Sequence, residues 1–515
     1  MLPSNKYNFK NNIIGGFTAA VIALPLGLAF GVASGMGASA GINGAIILGF
    51  IAALFSGTPT QISGPTGPMT VIIASTIITL HNDIRLIATT ILLAGILQIV
   101  FGVSRIGQFV KYIPYPVVSG FMSGIGVIII VLQINPFFGV PSEASVIQIF
   151  SSLAQNIANI NWDSAGISIA TLLIMFFTPR KIAQIIPSPL IALFCLTPLS
   201  IYLGLDVQTI GEIPQKLPDI ITPAISLESY QQIIVLGFTL AVLGSIDTLL
   251  TSVVADSITH TKHKPNKELI AQGLGNSVCG LFGAVPGAGA TMRTVINIKS
   301  GGTNKISGIT HSVVIFLVVV FFTPIAEKIP MALLAGILIK VGIDIIDYRF
   351  IRVWKSSPGH DLAVMLVVFF VTVFIDLITA VGVGIILSSL LIVYRITRET
   401  QITLVNEPLN SLSDDLGSST RILSINGVFF FGSSIAFERN VNETLDIKRF
   451  VIDISNIPFM DLTAIFTLKD IILRLKESNI DIIIVAKKRE KIQLLKFNKT
   501  GVFDDIRFLE NIQQL

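Results

Sequence analysis

The 515-residue sequence reads as a polytopic α-helical membrane protein of fourteen spans, followed by a small α/β domain. Three observations carry this reading. Hydrophobic residues make up 52% of the chain and charged residues only 13%, against about 25% charged in a soluble domain. Fourteen apolar runs begin near Ile13, Ala40, Thr66, Leu86, Pro116, Gly166, Pro187, Ile233, Leu269, Ala290, Gly308, Met331, Leu362 and Val381, most of them close to the roughly 20 residues that a bilayer crossing requires. The apolar character stops near Tyr394, and from about Thr403 charges return among short strand-like and helix-like runs. The expected domains are a transmembrane one over residues 1–402 and a soluble one over 403–515.

The N-terminal MLPSNKYNFKNN is polar, and the apolar run after it is too long for the h-region of a cleavable signal, so it is expected to be a retained first span. In the tail, RILSINGVFFF, RFVIDIS and DIIIVAK read as strands. DLTAIFTLKDIILRLKES reads as an amphipathic helix with Leu462, Ile465, Phe466, Ile472 and Leu473 near one face. This tail has roughly 110 residues, within the usual domain range. The two cysteines, Cys195 and Cys279, lie in apolar segments and read as small buried residues. Lys and Arg form no basic stripe, which speaks against a nucleic-acid partner.

Orientation follows from Lys and Arg in short loops. With Lys6 and Lys10 inside, alternate loops carry Arg105 and Lys111, Arg180 and Lys181, then Lys262, Lys264 and Lys267. Lys299 and Lys305, then Arg349, Arg352 and Lys355, continue the series, and Arg395 and Arg398 precede the tail. The opposite loops carry only Arg85, Lys216 and Lys328. Both termini and the soluble domain are therefore expected in the cytoplasm. Asp344, Asp376 and Lys340 read as span-end residues that snorkel.

The chain repeats itself. GFTAAV at Gly16–Val21 matches GFTLAV at Gly237–Val242, and MTVI at Met69–Ile72 lines up with RTVI at Arg293–Ile296. The copies, about residues 12–206 and 229–397, are seven spans apart, so the second is inserted upside down, a signature of transporters. Two spans in corresponding places are broken: GTPTQISGPTGPMTV (Gly57–Val71) and GAVPGAGATMRTV (Gly283–Val295). Irregular backbone at membrane depth is tolerated only inside protein or along a cavity. Each break leads into a half-helix whose start offers free N–H groups and a partial charge of about +0.5. Two such starts facing each other make an anion site.

Around the first start, Thr66 and Thr70 offer hydroxyls, and Pro65 and Pro68 suit a helix N-terminus. Around the second, Ala290 offers backbone, Thr291 a hydroxyl and Arg293 a positive charge, which serves either as a structural cation or as a field behind the anion. Asp247 is the other charge read as intramembrane. Thr251, four residues on, shares its helix face. With carbonyls of Gly289 or Thr291 they suit a hard cation such as Na⁺; a plain Asp247–Arg293 salt bridge and a proton relay remain alternatives. Five histidines, mostly at loops, supply no nucleophile–base set, so an enzyme is not expected.

NKELIAQGLGN (Asn266–Asn276), TMRTVIN (Thr291–Asn297) and DISNIPFMDLTA (Asp453–Ala464) carry a resemblance over nearly the whole chain. It resembles the sulfate permease (SulP) family of anion transporters with a C-terminal STAS domain. AAVIALPLGLAFGVASG, PTGPMTV, LLTSVVADS, GAGATM and KVGIDIID bring it nearest to the sodium-dependent bicarbonate subgroup. The resemblance implies a 7+7 inverted repeat divided into core and gate domains, a homodimer in which the STAS domain takes part, and a cell-membrane location. It implies bicarbonate as substrate and Na⁺ as coupling ion, with no covalently bound cofactor. The implied sodium site falls on Asp247 and Thr251 beside Gly289, Ala290 and Thr291; the implied bicarbonate site falls on Thr66 and the backbone around Ala290. Arg293 is common in the wider family but is not required in the bicarbonate subgroup, and Gly64 sits where some of that subgroup carry an acid. Thr463 falls where related bacterial regulators carry a phosphorylatable hydroxyl, but capping or packing at the start of the helix is the favoured expectation for it.

The rival readings are the same machine with sulfate or a dicarboxylate, a nucleobase–proton symporter, against which the STAS tail argues, and a membrane-tethered sensor. A sensor would not need paired polar breaks at the midplane.

Overall fold

The computed structural model describes residues 9–108, 114–141, 146–157, 159–179, 182, 186–211, 219–224, 229–348, 352, 356–375, 377–405, 420–442, 447–498 and 501–515. Lys6, Lys111, Arg180, Lys181, Lys216, Arg349, Lys355 and Asp376 lie outside them. The chain divides into two compact units, residues 1–385 and 386–515.

The first half of the chain runs α1 (Phe9–Ala33), α2 (Ala38–Phe55), β1 (Ser63–Gly64), α3 (Gly67–Thr79), α4 (Ile84–Val103) and α5 (Tyr115–Leu132). The short α6 (Ile134–Phe137) and α7 (Val146–Ile157) follow, then α8 (Trp162–Phe177) and α9 (Ser188–Tyr202). The second half runs α10 (Tyr230–Thr259), α11 (Pro265–Leu281), β2 (Ala288–Gly289), α12 (Thr291–Lys299), α13 (Lys305–Ala326), α14 (Met331–Ile345), α15 (Gly359–Phe374) and α16 (Leu377–Glu399). Among the described residues six helical stretches are long and apolar enough to cross a bilayer, in α1, α2, α4, α5, α10 and α16. With its 30 residues, α10 is about 45 Å long, more than the hydrocarbon thickness of about 30 Å.

The packing partners obey the inverted repeat. In the first unit α4 packs on α11, and its counterpart α13 packs on α2; α10 packs on α4, and α1 on α13; α10 meets α3, and α1 meets α12. Elsewhere α5 packs on α15, and α14 on α8. Each contact has its mate with the halves exchanged, as a two-fold relation between inverted copies requires. The fourteen apolar starts fall on α1–α5, α8–α11 and α12–α16. The sequence did not show α6 and α7. Cys279 is buried, whereas Cys195 is exposed on α9: its span presents this face outward.

The second unit holds a five-stranded sheet in the order β3 (Gln401–Val405), β4 (Thr420–Asn426), β5 (Arg449–Asp453), β6 (Asp481–Val485), β7 (Arg507–Leu509). β3 is antiparallel to β4 and the other neighbours are parallel. The helices are α17 (Phe431–Asn442), α18 (Leu462–Glu477) and α19 (Lys488–Lys496). Strand residues alternate between faces: Leu423, Ile425, Phe450, Ile452, Ile482 and Ile484 join the main core, while Ile422, Val451, Ile483 and Val485 face the other side. The expected boundary at 402/403 falls within β3.

The amphipathic helix has a different face from the one expected. Ala464, Ile465, Leu468, Ile471, Ile472 and Leu475 are buried, whereas Leu462, Phe466 and Leu473 are about half exposed. The buried set keeps the 3.6-residue period, and Asp461, not Thr463, caps the helix by accepting from Ala464 N at 2.8 Å. Thr463 is exposed.

Candidate functional site

The two breaks meet inside the first unit. β1 and β2 pair antiparallel, Ser63 opposite Gly289 and Gly64 opposite Ala288. Ala290 N donates to Ile62 O at 2.8 Å, and Ile62 N donates to Thr294 Oγ1 at 3.0 Å. A Cβ at Gly287 would lie 2.0 Å from Gly64 O, a clash with backbone that explains the glycine. Asn276 of α11 fixes this glycine from both sides, accepting from Gly287 N at 2.9 Å and donating to Gly287 O at 3.0 Å.

This pairing sets the starts of α3 and α12 beside each other. Thr66 and Ala290 are the residues before the first turns; both are extended, and neither side chain caps its helix. Their first N–H groups thus stay available to a ligand. A cavity of about 300 Å³ opens at the two starts. Thr66, Asp247, Gly289, Ala290, Thr291 and Arg293 line one wall, and residues of α5, α8, α9 and α14 line the other. A larger cavity of about 470 Å³ between α1, α9 and α13 has no charged side chain in its lining, so the polar chemistry is concentrated in the smaller one.

Asp247 projects from α10 with Oδ2 free of any hydrogen bond, and the Thr66 hydroxyl stands beside the carboxylate without closing a well-formed one. One turn on, Thr251 is fully buried; its hydroxyl donates to Gly289 O at 2.9 Å and lies 2.7 Å from Thr291 Oγ1. Two hydroxyls and a carbonyl thus meet one helical turn along α10 from the Asp247 carboxylate, although Thr251 itself does not line the cavity. Oxygen ligands of this kind suit a hard cation. Arg293 is 2% exposed. Its Nη2 donates to Pro65 O and its Nη1 has no partner. No ion pair joins it to Asp247 among the described residues. Thr70 is placed differently: it does not line the cavity, and its hydroxyl donates to Thr66 O at 2.8 Å, within its own helix.

Sequence reasoning took Asp247 as the lone carboxylate inside the membrane domain. Glu268, in the first turn of α11, is a second one and is 0% exposed. Its Oε2 accepts from Ser56 Oγ, Gly57 N and Thr58 N, each at 2.8 Å. Its Oε1 accepts from Gln61 Nε2 and Gln272 Nε2, each at 3.0 Å. Gln61 in turn accepts from Ser252 Oγ of α10 at 2.9 Å. The motif NKELIAQ held the glutamate, but its neighbours Asn266 and Lys267 gave it the look of a loop residue. His311 was likewise missed: it is fully buried in α13 with both ring nitrogens unpartnered. Lys340 and Asp344 do not simply snorkel; both line the cavity wall opposite Asp247.

Comparison with known proteins agrees with this architecture. Residues 9–370 match the sulfate permease family and residues 416–515 the STAS domain. The chain is 40% identical to the bicarbonate transporter BicA of Picosynechococcus sp., over 96% of this chain and 93% of that one. It is 31% identical to the putative sulfate transporter YvdB of Bacillus subtilis, over 98% and 96%. The solved transmembrane domain of a cyanobacterial bicarbonate transporter BicA superposes with a TM-score of 0.68 at 45% identity, covering 73% of this chain and 98% of that one. A polytopic helical membrane domain with paired broken spans, matched to this family over residues 9–370 and followed by a STAS domain, is a transporter: the chain belongs to the sulfate permease family.

Proposed function

We propose that the protein imports bicarbonate together with Na⁺ across a bacterial cell membrane. The observation that carries this reading is the free Oδ2 of Asp247 in the cavity of the two half-helix starts, with Thr251, one helical turn further along α10, bonded to Gly289 O and beside Thr291 Oγ1. Na⁺ at the oxygen cluster neutralises Asp247. The anion then sits against the N–H groups of α3 and α12, near the Thr66 hydroxyl, with Arg293 behind. Without Na⁺ the Asp247 carboxylate repels the anion. At about 4 Å and an effective dielectric near 20, one unit charge is worth about 4 kcal/mol, an upper bound on the coupling. The 40% identity to a bicarbonate transporter supports the choice of anion.

The second reading is sulfate at the same site. Arg293 favours it, since a buried guanidinium suits a dianion, and so does the 31% identity to a putative sulfate transporter. The deciding experiment is radiolabelled bicarbonate uptake by purified protein in liposomes, with and without an inward Na⁺ gradient and with sulfate as competitor. Na⁺-dependent uptake that sulfate leaves unchanged supports the first reading; sulfate uptake indifferent to Na⁺ refutes it. Asp247→Asn is expected to abolish the Na⁺ dependence while the protein still folds.

The charge distribution of the loops supports cytoplasmic termini and an inner-membrane location. Homodimerisation through the STAS domain is part of the same proposal. Phe431, Ile435, Phe459, Leu462 and Phe466 expose about half or more of their surface on that unit, an apolar surface of the kind that marks interaction sites. Phe459→Ser with Phe466→Ser is expected to lower the dimer fraction seen by chemical cross-linking in membranes; an unchanged fraction removes this surface from the interface.

A further inference from the structure

Four charged side chains line the cavity: Asp247 and Arg293 on the wall of the breaks, Lys340 and Asp344 on α14 opposite. Lys340 Nζ lies 2.5 Å from Asp344 Oδ1, one turn apart on the same helix, and 5.3 Å from the centroid of the Phe176 ring of α8. The two side chains are unequally covered: Lys340 is 17% exposed and Asp344 is 42% exposed. The ammonium is therefore the inner member of the pair, steadied by a carboxylate and an aromatic face, and the carboxylate is the outer one. An ammonium has three N–H donors, and one carboxylate oxygen does not exhaust them.

We propose that Lys340 is a second anion subsite, a way station for a small oxyanion in the cavity, and that Asp344 competes with the anion for its ammonium. The inference rests on the cavity being the anion's route, as the proposed function has it. Its content is an opposition. A structural ion pair loses the same contact whichever partner is removed, so both neutral variants behave alike. A competing carboxylate does the reverse of its partner: Lys340→Met removes the cation that draws the anion, whereas Asp344→Asn removes the rival and leaves the cation free. A partly exposed pair is worth up to about fivefold in affinity, which sets the size of both effects.

The test measures two quantities for wild type, Lys340→Met, Lys340→Arg and Asp344→Asn: the KM of bicarbonate uptake in liposomes, and the midpoint of bicarbonate- or sulfate-induced thermal stabilisation of the purified protein. Lys340→Met is expected to raise both about threefold to fivefold, and Asp344→Asn to lower both by a similar factor. Lys340→Arg, which keeps the charge, is expected to stay nearer wild type than Lys340→Met. Shifts of the same sign in Lys340→Met and Asp344→Asn, or none in either, overturn the subsite. If the wild type neither transports nor responds to bicarbonate, but sulfate gives the opposed shifts, the subsite stands and the bicarbonate reading falls. If neither anion stabilises the wild type, both fall. Asp344→Asn is a near-isosteric change at a partly exposed position, so its readout does not depend on how well Lys340→Met folds.

Discussion

A Cβ atom at position 64 would stand 2.6 Å from Nη1 of Arg293. The guanidinium of Arg293 thus fills the space that a side chain on β1 would take, while its other nitrogen holds Pro65 O at the threshold of α3. Gly64 and Arg293 are a matched pair: the missing side chain on one break admits the long side chain from the other. This gives a physical reason why a chain with an arginine here has no acid at position 64.

Gly64→Ala is accordingly expected to destabilise the protein by about 1–3 kcal/mol, the usual cost of overpacking. Arg293 is buried and tethered at Nη2, and Ala45 Cα stands 3.4 Å from the same added atom, so the guanidinium has little room to give. The check is a double-mutant cycle in apparent Tm. With Arg293→Ala the effect of Gly64→Ala should shrink, because the clash has gone; additive effects would mean that the two residues do not share the space.

Much of this arrangement was legible in the sequence because bilayer physics is strict. Apolar runs had to be helices, and the Gly/Pro-rich stretches at Gly57 and Gly283 had to be breaks buried in protein. Of the side chains at the cavity, Thr66, Thr291 and Arg293 followed from the repeat that puts the breaks in corresponding places, and Asp247 from being a carboxylate within a span. What was not legible depends on directions and partners that periodicity does not carry. Thr70 follows Thr66 by one turn, yet its hydroxyl turns back to its own helix. Glu268 sits among loop-like neighbours, yet its five donors come from α2's exit and from α11. Lys340 and Asp344 resemble span-end charges; only the packing of α14 against α8 turns them into the cavity. Strand β7 has three residues, too short to rise above the surrounding composition, and β3 (Gln401–Val405) follows α16 so directly that it reads as the fading end of the last apolar run.

The two threonines of the first half-helix should separate in a mutational test. Thr66 lines the cavity with an unpartnered hydroxyl, so Thr66→Val is expected to raise the anion KM about tenfold, or about 1.4 kcal/mol. Thr70 spends its hydroxyl on Thr66 O, so Thr70→Val is expected to change KM by less than about twofold. Uptake kinetics on both variants check this; equal effects would mean that Thr70 reaches the anion.

Thr251 should report on the cation and not on the anion. Its hydroxyl ties α10 to Gly289 O and to Thr291. Thr251→Val keeps the shape and loses both contacts. The expected outcome is a rise of about tenfold in the Na⁺ concentration for half-maximal uptake, with Thr251→Ser close to wild type. Titrating Na⁺ at saturating bicarbonate measures it; a change confined to the bicarbonate KM would move Thr251 to the anion side.

Glu268 calls for a different expectation, because none of its contacts faces the cavity. All five partners are donors, and three converge on one oxygen. Glu268→Gln replaces one oxygen by an NH₂ group, which sets donor against donor wherever the amide turns. It also removes the charge that strengthens the remaining bonds. A buried donor left without an acceptor costs about 1–3 kcal/mol, so the variant should lose about 3 kcal/mol. The loss reaches the site through geometry: Glu268 holds Ser56–Gln61, the lead into β1, and through Gln61 it reaches Ser252 on α10, one turn from Asp247's neighbour Thr248. The expected pattern is a lower apparent Tm together with a fall in maximal uptake, at nearly unchanged Na⁺ and bicarbonate half-saturation in the protein that remains folded. A selective loss of Na⁺ affinity at wild-type Tm would instead make Glu268 part of the cation's own path.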